Sequence, residues 1–491
     1  MQQERSERTA GILMPLASLP SDEGIGCLGE DSFRFVDLLA EMGISVWQLL
    51  PLTPLGFGNS PYQPFASCAG DPLYISLSRL VRDGLLPPER LPAPAANAGR
   101  IDYDAVRREK EPLLREACAR FYEREGESPQ FRDFCRQDWV YPYAVFLALK
   151  RQNGLRAWTE WPAAQRDWIL DRRYDLAHLE GEIRRGMAEQ FLFFRQWQAL
   201  RRYANERGVR IMGDLPFYVG LDSLEVWSRR EDFLLDAEGN PAFIAGVPPD
   251  YFNAEGQRWG NPIYNWAHME GDGFAFWLDR LRGSGALYDI LRIDHFRAFD
   301  TYWKIPAESP TARVGEWVQA PGRALFETIR RELPDLQIVA EDLGGDLTPG
   351  VHALRDDFGL MGMNVADFTL MSGEKPKKNQ LAYTGTHDNQ TARGFYESMP
   401  PEERERFRFA LRRYGSVREP VSKKMLRYVF FSDADMVIVP LADVLNLGDE
   451  ARLNTPGTVG SPNWEWRLRD WKGVERKKAF VRELTALSRR R

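Results

Sequence analysis

Eight short apolar runs, rich in β-branched residues and each giving way to polar ones, recur along this chain. They are "GILMPLASL" from Gly11, "ISVWQLLPL" from Ile44, "VRIMGDLPFYV" from Val209, "LYDILRIDHF" from Leu287, "LQIVAEDL" from Leu336, "GMNVADF" from Gly362, "LAYTGTHDN" from Leu381 and "DMVIVPLADV" from Asp435. A strand buried on both faces reads as a continuous apolar run, and parallel sheets covered by helices are where such strands occur. Amphipathic stretches stand between several of the runs, among them "DSFRFVDLLAEM" after Gly29, "FLFFRQWQALRRYANERG" from Phe191 and "RALFETIRREL" from Arg323. Eight strands alternating with helices predict an α/β fold, a (β/α)8 TIM barrel with helical and loop insertions around its C-terminal face.

The spacing is uneven. Well over a hundred residues separate the second and third runs, so the chain is read as one catalytic barrel unit, 1–491, carrying a mainly helical insertion at about 68–185 and a second insertion at about 219–275. The second contains "AGVPPDYFNAEGQRWGNPIYNW", whose Pro, Gly and Asn content predicts a long loop, suited to a lid over a barrel mouth.

Composition removes several function classes. The net charge is −6 and no region sustains a basic stripe, the terminal Ser488–Arg491 being short, so nucleic acid is not an expected partner. No apolar stretch approaches the roughly 20 residues that cross a bilayer. The opening "MQQERSER" and the breaks at Pro15 and Pro20 do not form a secretory h-region, and the four cysteines, Cys27, Cys68, Cys118 and Cys135, lack Cys-x-x-Cys spacing. Reduced thiols in a cytoplasmic protein are the expectation.

Four of the runs end in ionisable groups: Asp214 on the third, Asp294 on the fourth, Glu341 on the fifth and His387–Asp388 on the seventh. Any one strand end can carry a charge simply because it meets solvent. Several carboxylates at one barrel mouth point instead to chemistry. Retaining glycosidic-bond chemistry needs two carboxyl groups roughly 5–5.5 Å apart, one to attack the anomeric carbon and one to protonate the leaving oxygen. Arg292 and Asp294 are two apart, so both face one side of a strand, and a guanidinium there would stabilise a carboxylate nucleophile. Glu341, preceded by apolar "IVA", is expected to have a raised pKa from burial and from the charge of Asp294, which suits an acid that later acts as a base. As a lone motif it reads equally well as a carboxylate paired with Lys or Arg. His387–Asp388 has no spaced second His for a metal, and no Gly-x-Ser-x-Gly elbow accompanies it for a serine relay; a third carboxylate that hydrogen-bonds two sugar hydroxyls would stabilise a strained ring and its developing positive charge. Most of the 15 Trp and 17 Tyr must be core, but Tyr62 and Trp259 sit in Pro/Gly-rich loops, where an aromatic face can stack on a sugar or anchor the loop itself.

The ordered set "GNSPYQPFAS", "GDLPFYVGLDS", "GVPPDYFNAEGQRWGNPIYNW", "RIDHFRAFDTYWKIP", "AEDLG", "YTGTHDN" and "ARLNTPGT" resembles the 4-α-glucanotransferases called amylomaltases or disproportionating enzymes, glycoside hydrolase family 77, in their compact form. The resemblance implies retaining transfer of α-1,4-glucan segments from maltooligosaccharides, starch or glycogen to the 4-hydroxyl of an acceptor glucan or glucose. It further implies Asp294 as nucleophile, Glu341 as general acid/base and Asp388 as transition-state stabiliser. Tyr62, Asp214, Arg292, His295 and His387 are then expected around the sugar at the cleavage point, and Asp250, Tyr251 and Trp259 in a lid near the acceptor side. No cofactor or metal is expected. The chain departs from the family pattern at Gln390, where many relatives have Asp, and at Asn364 and Asp367, where Lys and Gln are common. Two other readings use the same residues: an α-amylase-like retaining hydrolase, which hands the intermediate to water, and a glucan-binding scaffold, which needs no catalytic carboxylates.

Overall fold

A computed structural model describes residues 8–249, 254–344 and 347–490. Twelve strands occur among them: β1 Thr9–Leu13, β2 Val46–Gln48, β3 Arg210–Leu215, β4 Phe243–Val247, β5 Gln257–Pro262, β6 Ile290–Ile293, β7 Thr301–Pro306, β8 Glu316–Gln319, β9 Ile338–Ala340, β10 Gly362–Val365, β11 Gln380–Tyr383 and β12 Met436–Pro440. Eight of them, in the order β10-β11-β12-β1-β2-β3-β6-β9, form one parallel sheet, and a parallel bridge from Val339 to Met361 closes β9 onto the segment entering β10. The fold is a (β/α)8 barrel, and its eight strands are the eight apolar runs. They are buried almost throughout, as strands enclosed by helices must be.

The surrounding helices bury one stripe each. Glu30–Glu41 turns Phe35, Val36, Leu38 and Leu39 inward, and Gly322–Glu332 does the same with Leu325, Phe326 and Ile329. Between β2 and β3 the chain runs through several helices and ends in Glu180–Glu206, whose buried Gln190 and Gln196 act as clamps. Gln190 exchanges two hydrogen bonds with the backbone of Gly70, and Gln196 two with that of Ser76. Those bonds hold the far end of the segment that leaves β2 and carries Tyr62.

The second insertion differs from the loop expected of it. Its β4 and β5 pair antiparallel, β4 also pairs with β7, and β7 with β8, giving a separate four-stranded sheet in the order β5-β4-β7-β8. The strand pattern is hidden because the register shifts between Ile244 and Gly246, which breaks the alternation a strand normally shows. Gly246 is required there: a Cβ at that position would stand 2.1 Å from the carbonyl oxygen of Gln257 on β5.

Candidate active site

Register across the barrel sets the site. Asp214 on β3 lies opposite Arg292 on β6, and Ile293 on β6 opposite Ala340 on β9, so Asp294 and Glu341 are the first residues past two paired strand ends. Arg292 is buried and its guanidinium bridges two carboxylates. Nη1 donates to both oxygens of Asp214 at 2.7 Å, and Nη2 donates to Asp294 Oδ1 at 2.9 Å. Burial alone would weaken the guanidinium's hold on its proton, but the charges of Asp214 and Asp294 outweigh it and keep Arg292 firmly cationic.

His295 follows with left-handed backbone angles (φ 52°, ψ 46°). That conformation is uncommon outside glycine, and here it aims the His295 N–H at Glu341 Oε2, 2.8 Å away. Burial, together with the charge of Asp294, nevertheless pushes the Glu341 carboxyl up to about 8, so it carries a proton at neutral pH. The imidazole of His295 is pushed down to about 4, chiefly by burial, and stays neutral.

On the opposite side, the loop after β11 presents His387 and Asp388. His387 Nε2 lies 3.3 Å from Asp388 Oδ2, and the imidazole stacks on Tyr62 with centroids 5.0 Å apart and planes 13° from parallel. The Tyr62 hydroxyl donates to Asp214 Oδ2 at 2.9 Å, linking this side back to the Arg292 cluster. Burial favours a neutral Asp388, yet the charge of His387 and hydrogen bonds from His387 and Asn454 prevail and hold its carboxyl well below the usual range. The pairing raises His387 in turn, against the burial that would lower it.

Tyr62, Trp259, Asp294, His295, His387 and Asp388 line a single open cleft of about 300 Å³. Trp259, on β5, meets His295 edge-on with centroids 4.9 Å apart. Asp214 and Arg292 lie buried beside the cleft, and Glu341 joins the group through the His295 N–H. Asp250 and Tyr251, the other expected lid residues, fall outside the described residues.

Asn454 is a member of this cluster that strand-end reasoning passed over. Its Nδ2 donates to Asp388 Oδ1 at 2.7 Å, and Arg452 Nη2 donates to the Asp388 carbonyl at 3.1 Å. Trp464 lies 5.7 Å from Tyr62, centroid to centroid. The available signal was the polar loop "ARLNTPGT" after the last barrel strand, where an amide side chain has no packing duty. Among the described residues no helix is long and apolar enough to cross a membrane, and all four cysteines are free.

A (β/α)8 barrel with a protonated and an ionised carboxyl at its mouth is a frame that suits a glycosyl-transferring enzyme. The family model for 4-alpha-glucanotransferases, glycoside hydrolase family 77, matches residues 14–472. The 4-alpha-glucanotransferase of Synechocystis is 42% identical over 95% of this chain and 95% of its own, and that of Thermus thermophilus 42% over 94% and 95%. The amylomaltase from Streptococcus agalactiae, solved in complex with acarbose, superimposes with a TM-score of 0.93 at 36% identity, covering 99% of this chain and 100% of that one. The chain belongs to the 4-alpha-glucanotransferase family, glycoside hydrolase family 77.

Proposed function

We propose that this 4-alpha-glucanotransferase works by a two-step retaining exchange in which Asp294 is the nucleophile, Glu341 the acid and then the base, and Asp388 the group that stabilises the cationic sugar in the transition state of each step. In the first step an Asp294 oxygen bonds to the anomeric carbon of an α-1,4-glucan donor. The bond from that carbon to the leaving O4 breaks, and the Glu341 proton goes to that oxygen. The shortened glucan departs, and its other part stays as an ester on Asp294. In the second step the 4-hydroxyl of an acceptor glucan or glucose gives its proton to Glu341 and attacks the same carbon from the face opposite Asp294, while the bond from that carbon to the Asp294 oxygen breaks and restores the free carboxylate. The new linkage has the α configuration of the old one.

The single observation that carries this reading is the opposed electrostatic setting of two carboxyls at one barrel mouth: Glu341 pushed up to about 8, Asp388 held well below the usual range. The first can donate a proton at neutral pH and the second stays anionic beside a developing positive charge. Esterification also removes the Asp294 charge, one of the influences that keep Glu341 protonated. In the intermediate Glu341 is therefore better suited to be the carboxylate that accepts the acceptor's proton. Tyr62, Asp214, Arg292, His295 and His387 surround the sugar being cleaved, and Trp259 supplies an aromatic face on the acceptor side. Donors are maltooligosaccharides, starch or glycogen chains. The barrel and its two insertions act as one catalytic unit, and a reducing, cytoplasmic setting suits the four free cysteines.

Incubation with maltotriose tests the reading. Transfer gives glucose together with a ladder of maltooligosaccharides longer than the donor. Shortened products with nothing longer would mean that water, not a sugar, completes the reaction.

A further inference from the structure

Within the 219–275 insertion, apart from the cleft, lies a buried carboxylate oxygen that lacks a hydrogen-bond partner. Asp232 ends the short 3-10 turn Arg230–Asp232 and is 2% exposed, and its Oδ1 accepts no hydrogen bond. A buried carboxylate left this way is costly unless a cation answers it. The guanidinium of Arg229 stands off from the other oxygen, Nη1 being 4.0 Å from Oδ2, while its Nη2 is bonded to Asp279. Beside the Asp232 carboxylate are two side chains of the next helical element. His268, on helix Trp266–Gly271, brings Nε2 to 3.7 Å, too far for a hydrogen bond, and Asp272 caps the same helix. Four residues apart, they share one helix face. One ligand atom from each of Asp232, His268 and Asp272 falls within 4.8 Å of the other two.

The backbone beneath the three donors is already fixed. The Asn265 N–H donates to the Asp232 carbonyl at 2.8 Å, Asn265 Nδ2 donates to the Glu231 carbonyl at 3.0 Å, and Asn265 Oδ1 accepts from the His268 N–H at 3.4 Å. Turn and helix are thus docked before any ion arrives, so little order remains to be imposed by binding.

We propose that Asp232, His268 and Asp272 form a binding site for a divalent transition cation, with zinc the best match. One imidazole nitrogen and two carboxylate oxygens are a zinc-type donor set, and water completes a tetrahedron. Calcium, which takes six to eight oxygens, does not suit a site with a nitrogen donor. Donors about 2.1 Å from an ion sit roughly 3.4 Å apart around a tetrahedron. The movement needed falls on His268 and Asp272, both at the surface, where Asp272 Oδ1 also accepts the Ala275 N–H at 3.2 Å. Two negative charges are neutralised by the ion, and the turn is tied to the helix at a point where a backbone bridge already joins Phe233 to Tyr264.

The test uses the full chain without a histidine tag, stripped with a chelator, then titrated with Zn²⁺ against a chromophoric indicator and, separately, with Co²⁺ read by its visible absorption. One ion per chain is expected, with affinity at least tenfold weaker in His268→Ala, in Asp272→Asn and in Asp232→Asn, and with a Co²⁺ spectrum of low coordination number that the variants lose. Circular dichroism establishes that each variant is folded; the two surface variants decide the matter if Asp232→Asn is not. Absence of stoichiometric binding overturns the proposal. So does binding that survives in His268→Ala, which would move the ion to the partly exposed Cys68 or Cys135.

Discussion

Raising the pH should switch this enzyme off by deprotonating Glu341, and the position of the fall follows from the site. With its carboxyl at about 8, Glu341 is about nine-tenths protonated at pH 7 and about one-tenth at pH 9. The kcat/KM for maltotriose should therefore lose about tenfold per pH unit once the pH passes that value. A glycosyl fluoride donor, whose leaving group needs no proton, should be cleaved in the first step without this limb, and Glu341→Gln should retain that cleavage while losing action on maltotriose. Stability must move in the same window. Below pH 4.5, the ordinary value of the group, folded and unfolded chains both hold the proton. Between 4.5 and about 8 only the folded chain holds it, so stability falls as the pH rises, by up to about 1.4 kcal/mol per unit. The whole interval would amount to about 5 kcal/mol, and solvent reaching the open cleft reduces this to about 2–3 kcal/mol. Glu341→Gln has no such proton to lose. Unfolding midpoints of the two proteins measured from pH 4.5 to 9 should diverge in favour of the variant as the pH rises. Parallel midpoints across that range, or an alkaline limb that persists with the fluoride donor, would refute the assignment of the proton to Glu341.

Two further substitutions probe the supports of the site. Arg292→Met strands Asp214 in the interior without its two 2.7 Å bonds, and should cost about 3–5 kcal/mol of stability along with most turnover; an unchanged unfolding midpoint would contradict the burial of this ion pair. Asn454→Ala removes the 2.7 Å hydrogen bond to Asp388 Oδ1, a bond to a charged group worth about 1.5–3 kcal/mol. It should lower kcat by about 10- to 100-fold with the KM for maltotriose nearly unchanged, and a loss confined to KM would show that Asn454 binds donor instead of supporting Asp388.

The barrel was legible because its signal is local: a strand buried on both faces must be apolar along its own few residues, and all eight runs met that condition. The site was legible for a related reason. Polar residues at the ends of such strands, at Asp214, Asp294, Glu341 and Asp388, converge once the strands are paired in order. What stayed hidden depends on partners far away in the chain. The β4 and β5 strands were masked by a bulge whose sense appears only when Gln257 approaches Gly246. Asn454 lies 66 residues from Asp388, and nothing within its loop marks it as the carboxylate's donor. The unpaired oxygen of Asp232 is likewise invisible until the turn that carries it is seen packed under the helix of His268.

The stretch from Arg292 to Pro306 joins these parts along the chain. Its first three residues belong to the barrel mouth and carry the guanidinium and the carboxylate it holds. His295, in its left-handed conformation, turns the chain and gives its N–H to Glu341 on the neighbouring strand. Phe296 and Phe299 are then wholly buried, which anchors the turn, and β7 runs on into the four-stranded sheet. That sheet carries Trp259, whose ring rests against His295. A displacement of Trp259 by an arriving sugar would therefore press on the residue that hydrogen-bonds Glu341, one backbone step from Asp294. The wall beside which an acceptor would settle is thus joined to the groups proposed to activate it through β4 and β7, so the insertion is mechanically part of the proposed catalytic centre.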